Sequence, residues 1–184
     1  MPIMLSVVLV AGSAPDPLTI LQIALAMLAT YGVYELGYMD NDTRTVGLEV
    51  APTQRVSDDE KRWFFAHRWF LIGLRGIIVG AAVLAIAWVS SGSALLIFCT
   101  GLVAMGAAFI AYNSSRGVVN VPLHLILVTA RFCLPGTLLF PEAGYMLTMF
   151  IAFPLINSLE RAGEDRYRLT LLASVARHRV RITA

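Results

Sequence analysis

Residues 17–55 read PLTILQIALAMLATYGVYELGYMDNDTRTVGLEVAPTQR. The first 22 of them, residues 17–38, are almost wholly apolar, and a helix of about 20 such residues is what a bilayer core of about 30 Å requires. Pro17 suits the first turn of a helix. The run then breaks into a polar connection over residues 39–57 that holds Gly47 and Pro52. A long apolar helix that ends in a charged loop predicts a membrane span, and the rest of the chain repeats the pattern.

Composition agrees. Of 184 residues, 58% are apolar and 14% charged, with a mean hydropathy of +0.73. These values lie far from the soluble average and point to a multi-spanning membrane protein. A formal net charge of +2 leaves no footprint for nucleic acid. Cys99 and Cys133 both fall in apolar runs without metal-ligand spacing, and read as small buried hydrophobes.

The fold expected is an all-α integral membrane bundle of five spans, over about residues 17–38, 69–89, 94–112, 118–138 and 144–159. Residues 1–16 form a short apolar N-terminal segment. It is too short to span and lacks the basic start of a secretory signal. It reads as interfacial, as partly inserted, or as the remnant of a longer helix. Ser57 followed by Glu60 forms a capping box, so a helix should begin near Asp58. The charged and aromatic run after it suits a membrane interface. Gly76 with Gly80, and Ala107 with Ala111, are small pairs that permit close helix contact. Pro122, Pro135 and Pro154 predict bends or ends. Residues 160–184 form a basic tail, part of which reads as an amphipathic helix lying on the membrane. No internal repeat is evident.

Orientation follows from the basic residues. Twelve of the 14 Lys and Arg lie in residues 39–68, in the turn holding Arg116, and in the tail. The alternate turns carry none. The positive-inside rule therefore puts loop 39–57 and the C-terminus in the cytoplasm and the N-terminus outside, in a cell inner membrane.

Several polar residues stand out against this apolar background. Tyr31, Glu35, Tyr38 and Asp42 recur at helical spacing and predict one stripe. A carboxylate such as Glu35 inside an apolar span is costly and marks a functional position. Arg75 lies at a matching depth in the next span, so a Glu35–Arg75 ion pair is expected, either as a register-fixing contact or as part of a site. Asn120, His124 and Arg131 give the fourth span a polar face, on which His124 reads as a hydrogen-bonded core residue. Asn157, Glu160 and Glu164 share a face at the end of the fifth. Two carboxylate-bearing helix ends thus meet one side of the bundle. Such clusters suit Mg²⁺, which takes one or two carboxylates plus substrate phosphates, while Arg44 and Arg55 suit the phosphates themselves.

Tyr38, Asn41, Asp42, Pro52 and Arg55 are the residues through which the chain resembles the intramembrane prenyltransferases of the UbiA-type superfamily. More narrowly, YELGYxxND at residues 34–42 with PTxR at residues 52–55 resembles a bacterial group distantly related to it. The resemblance covers residues 31–65. It implies an all-helical fold and a prenyl diphosphate bound through two Asp-rich motifs and Mg²⁺. Asp42 would be the metal ligand and catalytic residue, Glu160 and Glu164 the second carboxylate pair, and Asn41, Arg44, Arg55, Arg75 and Tyr38 the substrate contacts. Glu35 would position the substrate or the Asp42 loop. The chain departs from the family by carrying Thr45 and Val46 where further aspartates are expected, by having Glu in the second motif, and by having five spans rather than about nine.

Three functions follow from this reading. The first is Mg²⁺-dependent binding or transfer of a polyprenyl (di)phosphate at the cytoplasmic face. The second is a non-catalytic integral subunit or scaffold, with membrane lipids, a second copy or other membrane subunits as partners. The third is a small transporter or lipid-binding protein using Glu35, Arg75, His124 and Arg131.

Overall fold

The computed structural model describes residues 16–45, 56–90, 92–115, 117–140 and 143–163. Every regular element among them is helical. Helix α1 is Pro17–Asp40, prolonged by a π turn at Asn41–Thr45. Helix α2 is Asp58–Val89 and α3 is Ser93–Ser114. A 3-10 turn at Gly117–Val119 leads into α4, Asn120–Cys133, which ends in a 3-10 segment at Leu134–Leu138. Helix α5, Ala143–Phe150, passes through a π turn at Ile151–Leu155 into α6, Ile156–Ala162.

Five of these helical runs are long and apolar enough to cross a membrane: Pro17–Thr45, Asp58–Val89, Ser93–Ser114, Gly117–Leu138 and Ala143–Ala162. They follow the expected spans closely. The N-terminal segment, residues 46–55 and the tail beyond Gly163 lie outside the described residues.

Local chemistry explains the boundaries. Asp16 caps α1, its carboxylate accepting from the backbone N–H groups of Leu18 and Thr19 and from the Thr19 hydroxyl. The expected capping box is present at Ser57: the Ser57 hydroxyl accepts from the Glu60 N–H, and the Glu60 carboxylate accepts from the Ser57 N–H. Gly92 opens α3 at φ 73°, where L side chains are strained. Pro135 sits in the first turn of the 3-10 segment that ends α4, and Pro154 sits in the π turn that interrupts the last span. A missing N–H at proline is absorbed by such irregular turns. Cys99 is half-buried and Cys133 buried, both as free thiols.

Helix α1 is the centre of the bundle. It packs most widely on α2, and also on α3 and the Leu134–Leu138 segment. Gln22 of α1 donates to the Val89 carbonyl and the Ser90 hydroxyl, and Gly32 lies against Val79. These contacts set α1 and α2 antiparallel and in register. The core gathers Tyr34, Ile86, Phe98, Met105, Phe109 and Leu134 with smaller residues around them, and a second cluster joins Ile23, Cys133, Tyr145 and Met149.

Close helix approach occurs at glycines other than the expected ones. A Cβ at Gly37 would meet the Phe109 ring, and one at Gly101 would meet Leu134. By contrast, Gly73, Gly76 and Gly80 have nothing within 4 Å of where a Cβ would be. Ala107 is exposed and Ala111 half-buried. Gly76 and Gly80 therefore open away from the neighbouring helices, because in α2 the stripe holding Val79, Ala82, Val83 and Ile86 is the one that meets the core.

Candidate functional site

The bundle has two ends, one marked by Asp16 and Ser90, the other by Asp40, Asn113 and Arg161. Polar side chains concentrate at the second end and run from there into the interior.

At that end Asp40 takes a bidentate contact from Arg44, with Nε at 2.7 Å and Nη2 at 2.8 Å. The pair is one turn apart on the last turn of α1 and its π extension, so it forms locally. Asn113, near the end of α3, is buried and donates its amide to the Gly37 carbonyl at 3.1 Å and to Asp40 at 2.7 Å. One side chain thus ties α3 to both the backbone and the carboxylate at the end of α1. Beside it, Arg161 of α6 donates to the Tyr112 hydroxyl and lies over the Tyr112 ring at 5.9 Å. Asn41 donates to Asp42 at 3.4 Å and accepts from the Thr45 hydroxyl at 2.9 Å.

Deeper in, Tyr34 is buried with its ring 5.0 Å from both Tyr38 and Phe109. The Tyr34 and Tyr38 hydroxyls are 3.4 Å apart. His124 of α4 is buried and meets the Asn157 side chain of α6 at 3.0 Å. Farther still, the Arg131 guanidinium lies over Tyr31 at 5.1 Å, Tyr34 at 4.9 Å and Phe132 at 5.6 Å, and its Nε donates to the Tyr31 hydroxyl at 3.3 Å. Asn120, His124 and Arg131 share one face of α4, as their spacing predicts, and that face looks into the bundle.

The opposite face of α4 borders an open apolar groove of about 380 Å³ between α3, α4 and α5. Ile97, Gly101, Leu125, Cys133 and Met146 are among its lining residues, with Thr129 and Thr137 at its polar points. These positions place it in the half of the bundle nearer Asp16.

Several expectations change against this geometry. The Glu35–Arg75 ion pair does not form. The register of α1 on α2 does bring the two to nearly the same level, but Glu35 is exposed, and the three ion pairs among the described residues are Arg44–Asp40, Lys61–Asp58 and Arg62–Asp59. The expected stripe also splits. Tyr31, Tyr34 and Tyr38 form the inward line, while Glu35 turns out of it. Arg44, expected to bind phosphate, is already held by Asp40. Asp42 and Tyr38 are half-buried at the expected end, as is Glu160. Arg55 and Glu164 lie outside the described residues. Among those described, no group of three or more His, Cys, Asp and Glu stands close enough to hold a metal ion.

Asp40, Asn113 and the Tyr31–Tyr34 cradle of Arg131 were not singled out by spacing alone. The signal for the cradle was present in the i, i+3, i+7 recurrence of tyrosine on α1, opposite an arginine-bearing face on α4. No protein-family model, curated protein or solved structure matches the chain.

Proposed function

We propose that this is a multi-pass inner-membrane protein that binds a long-chain lipid (di)phosphate of the polyprenyl class, with the polar Asp40 end on the cytoplasmic side. The observation that carries the reading is the apolar groove between α3, α4 and α5. Its volume lies within the range of small-molecule sites, and its apolar lining suits a hydrocarbon chain. A head group at the Asp40 end is separated from the groove by roughly eight residues of α3, about 12 Å. A polyprenyl tail is long enough to bridge that distance.

The residues at the Asp40 end suit a phosphate head. Asp42 receives one long hydrogen bond, from Asn41, which leaves most of its lone pairs for a cation. Mg²⁺ needs no all-protein cage when phosphate oxygens complete its shell. Asp42 and Glu160 would hold it, with Glu164, and Mg²⁺ would offset charge on a departing diphosphate if transfer occurs. Arg44 and Arg161 supply positive charge around the same end, and Asp40, itself held by Asn113, fixes Arg44 in place.

The test is equilibrium binding of farnesyl diphosphate to the detergent-purified protein. Mg²⁺ should tighten binding, and Asp42→Ala and Glu160→Ala should each remove that gain. Binding indifferent to Mg²⁺ and to both substitutions would contradict the reading.

A second reading, a non-catalytic integral subunit, is favoured by α2. Ala82 and Ile86 are its buried residues among those described, and Gly73, Gly76 and Gly80 leave one flank open. Small residues on an outward flank permit close approach of another helix. In that case Gly76→Leu should strip a co-purifying membrane protein from the chain while leaving the chain itself folded.

A further inference from the structure

The Arg131 cluster is unlike the other charged groups in the bundle. Arg131 lies about 16 Å along α4 from Asn120, well inside the apolar span. None of the ion pairs among the described residues includes it. Its guanidinium is half-buried and rests on the faces of Tyr31, Tyr34 and Phe132. Its Nε is spent on the Tyr31 hydroxyl. The aromatic faces offset part of the cost of a cation away from water. They do not neutralise it, and no carboxylate among the described residues forms an ion pair with it.

The cradle also constrains the fork. The three ring contacts and the Nε–Tyr31 hydrogen bond limit how the guanidinium plane can turn, and its terminal nitrogens still carry N–H donors. A planar guanidinium matches an oxyanion with two parallel hydrogen bonds. The line of polar groups between this point and the Asp40 end gives such an anion polar neighbours along the way. It includes the Tyr34 and Tyr38 hydroxyls, the His124–Asn157 pair and Asn113.

We propose that Arg131, cradled by Tyr31 and Tyr34, is a second anion site inside the bundle, and that it takes the phosphate or carboxylate oxyanion of an amphiphile drawn in from the membrane. The site stands apart from Asp42 and needs no metal ion.

The test uses the full chain in a neutral maltoside detergent with EDTA, and dodecyl phosphate as the probe. Dodecanol and inorganic phosphate serve as comparisons. Dodecyl phosphate should bind saturably and dodecanol should not. Arg131→Gln should weaken dodecyl phosphate binding about 10- to 100-fold, the loss of a charge-assisted bidentate contact. Arg131→Lys, which keeps the charge but not the fork, should fall between. Tyr31→Phe, which frees Nε and loosens the cradle, should weaken binding by a smaller factor. If Arg131→Gln does not fold, Arg131→Lys and Tyr31→Phe decide the matter, and unchanged affinity in both overturns the proposal. Equal affinity in wild type and folded Arg131→Gln also overturns it, as does equal binding of dodecanol. Inorganic phosphate binding as tightly as dodecyl phosphate would overturn the amphiphile as the ligand. Because Mg²⁺ is absent, failure here leaves the Asp42 reading standing.

Discussion

Gly37 of α1 and Phe109 of α3 meet where a side chain on Gly37 would begin: a Cβ there would fall 2.2 Å from the ring carbons Cγ and Cδ1 of Phe109. This contact gives the glycine of the YELGY run a physical reason. It lets α3 close on α1 so that Phe109 stacks edge-on against Tyr34 and Asn113 reaches the Gly37 carbonyl. The ring is held from several sides and cannot simply swing away. Gly37→Ala should therefore destabilise the bundle by about 1–3 kcal/mol, the usual cost of forced overpacking. Thermal unfolding in detergent would show it. Adding Phe109→Leu to Gly37→Ala should recover part of the loss, since the smaller side chain leaves room for the methyl.

Asn113 makes the polar tie between the same two helices. Its amide satisfies a backbone carbonyl and a carboxylate together. Asn113→Leu keeps the branched shape and leaves both acceptors short of a donor, which should cost about 1–3 kcal/mol. The same substitution loosens Asp40, and with it Arg44. Farnesyl diphosphate affinity should therefore fall in Asn113→Leu even where the protein remains folded, as a binding titration well below the unfolding temperature would record.

The start of α1 should respond to acid. Hydrogen bonds from the Thr19 hydroxyl and the Thr19 and Leu18 N–H groups hold the Asp16 carboxyl below its ordinary value of 3.8. The ionised form is thus favoured in the folded state. The capping contribution is complete above the ordinary value and is lost as pH falls through the lowered one. Hydrogen-exchange protection of the Leu18 and Thr19 amides, corrected for intrinsic rates, should drop below about pH 4 in the wild type. In Asp16→Ala it should already be low at neutral pH and insensitive to acid.

The orientation has its own test. Single cysteines at Ser57 and Ser90, in a background with Cys99 and Cys133 replaced, should be labelled from opposite sides of sealed membrane vesicles of known sidedness. A membrane-impermeant maleimide added from the cytoplasmic face should reach position 57 and not position 90. The opposite pattern would invert the topology and move the Asp40 end to the outside.

Much of the fold was legible because span length, capping and proline chemistry are local. The five long apolar helical runs, the Ser57–Glu60 box and the irregular turns at Pro135 and Pro154 follow from the local sequence. Helix rotation is different. Spans apolar on all sides carry no period to say which face turns inward, so Gly76 and Gly80 could not be told from Gly37 and Gly101. The same ambiguity misplaced Glu35. Its level against Arg75 was readable from the two helix ends, but its direction was not, and a difference of rotation turned an expected ion pair into an exposed carboxylate. The polar face of α4 was legible because three polar residues in an apolar helix mark a direction themselves. What they would meet depended on α1, where the recurrence of Tyr31, Tyr34 and Tyr38 marks a face but does not say which helix it turns to.

The most direct test of the lipid (di)phosphate reading is native mass spectrometry of the detergent-purified protein, with and without Mg²⁺. The account predicts a co-purified polyprenyl phosphate or diphosphate that Mg²⁺ retains and Asp42→Ala releases. A protein carrying only bulk phospholipid, with the same spectrum in both conditions and in the variant, would contradict it.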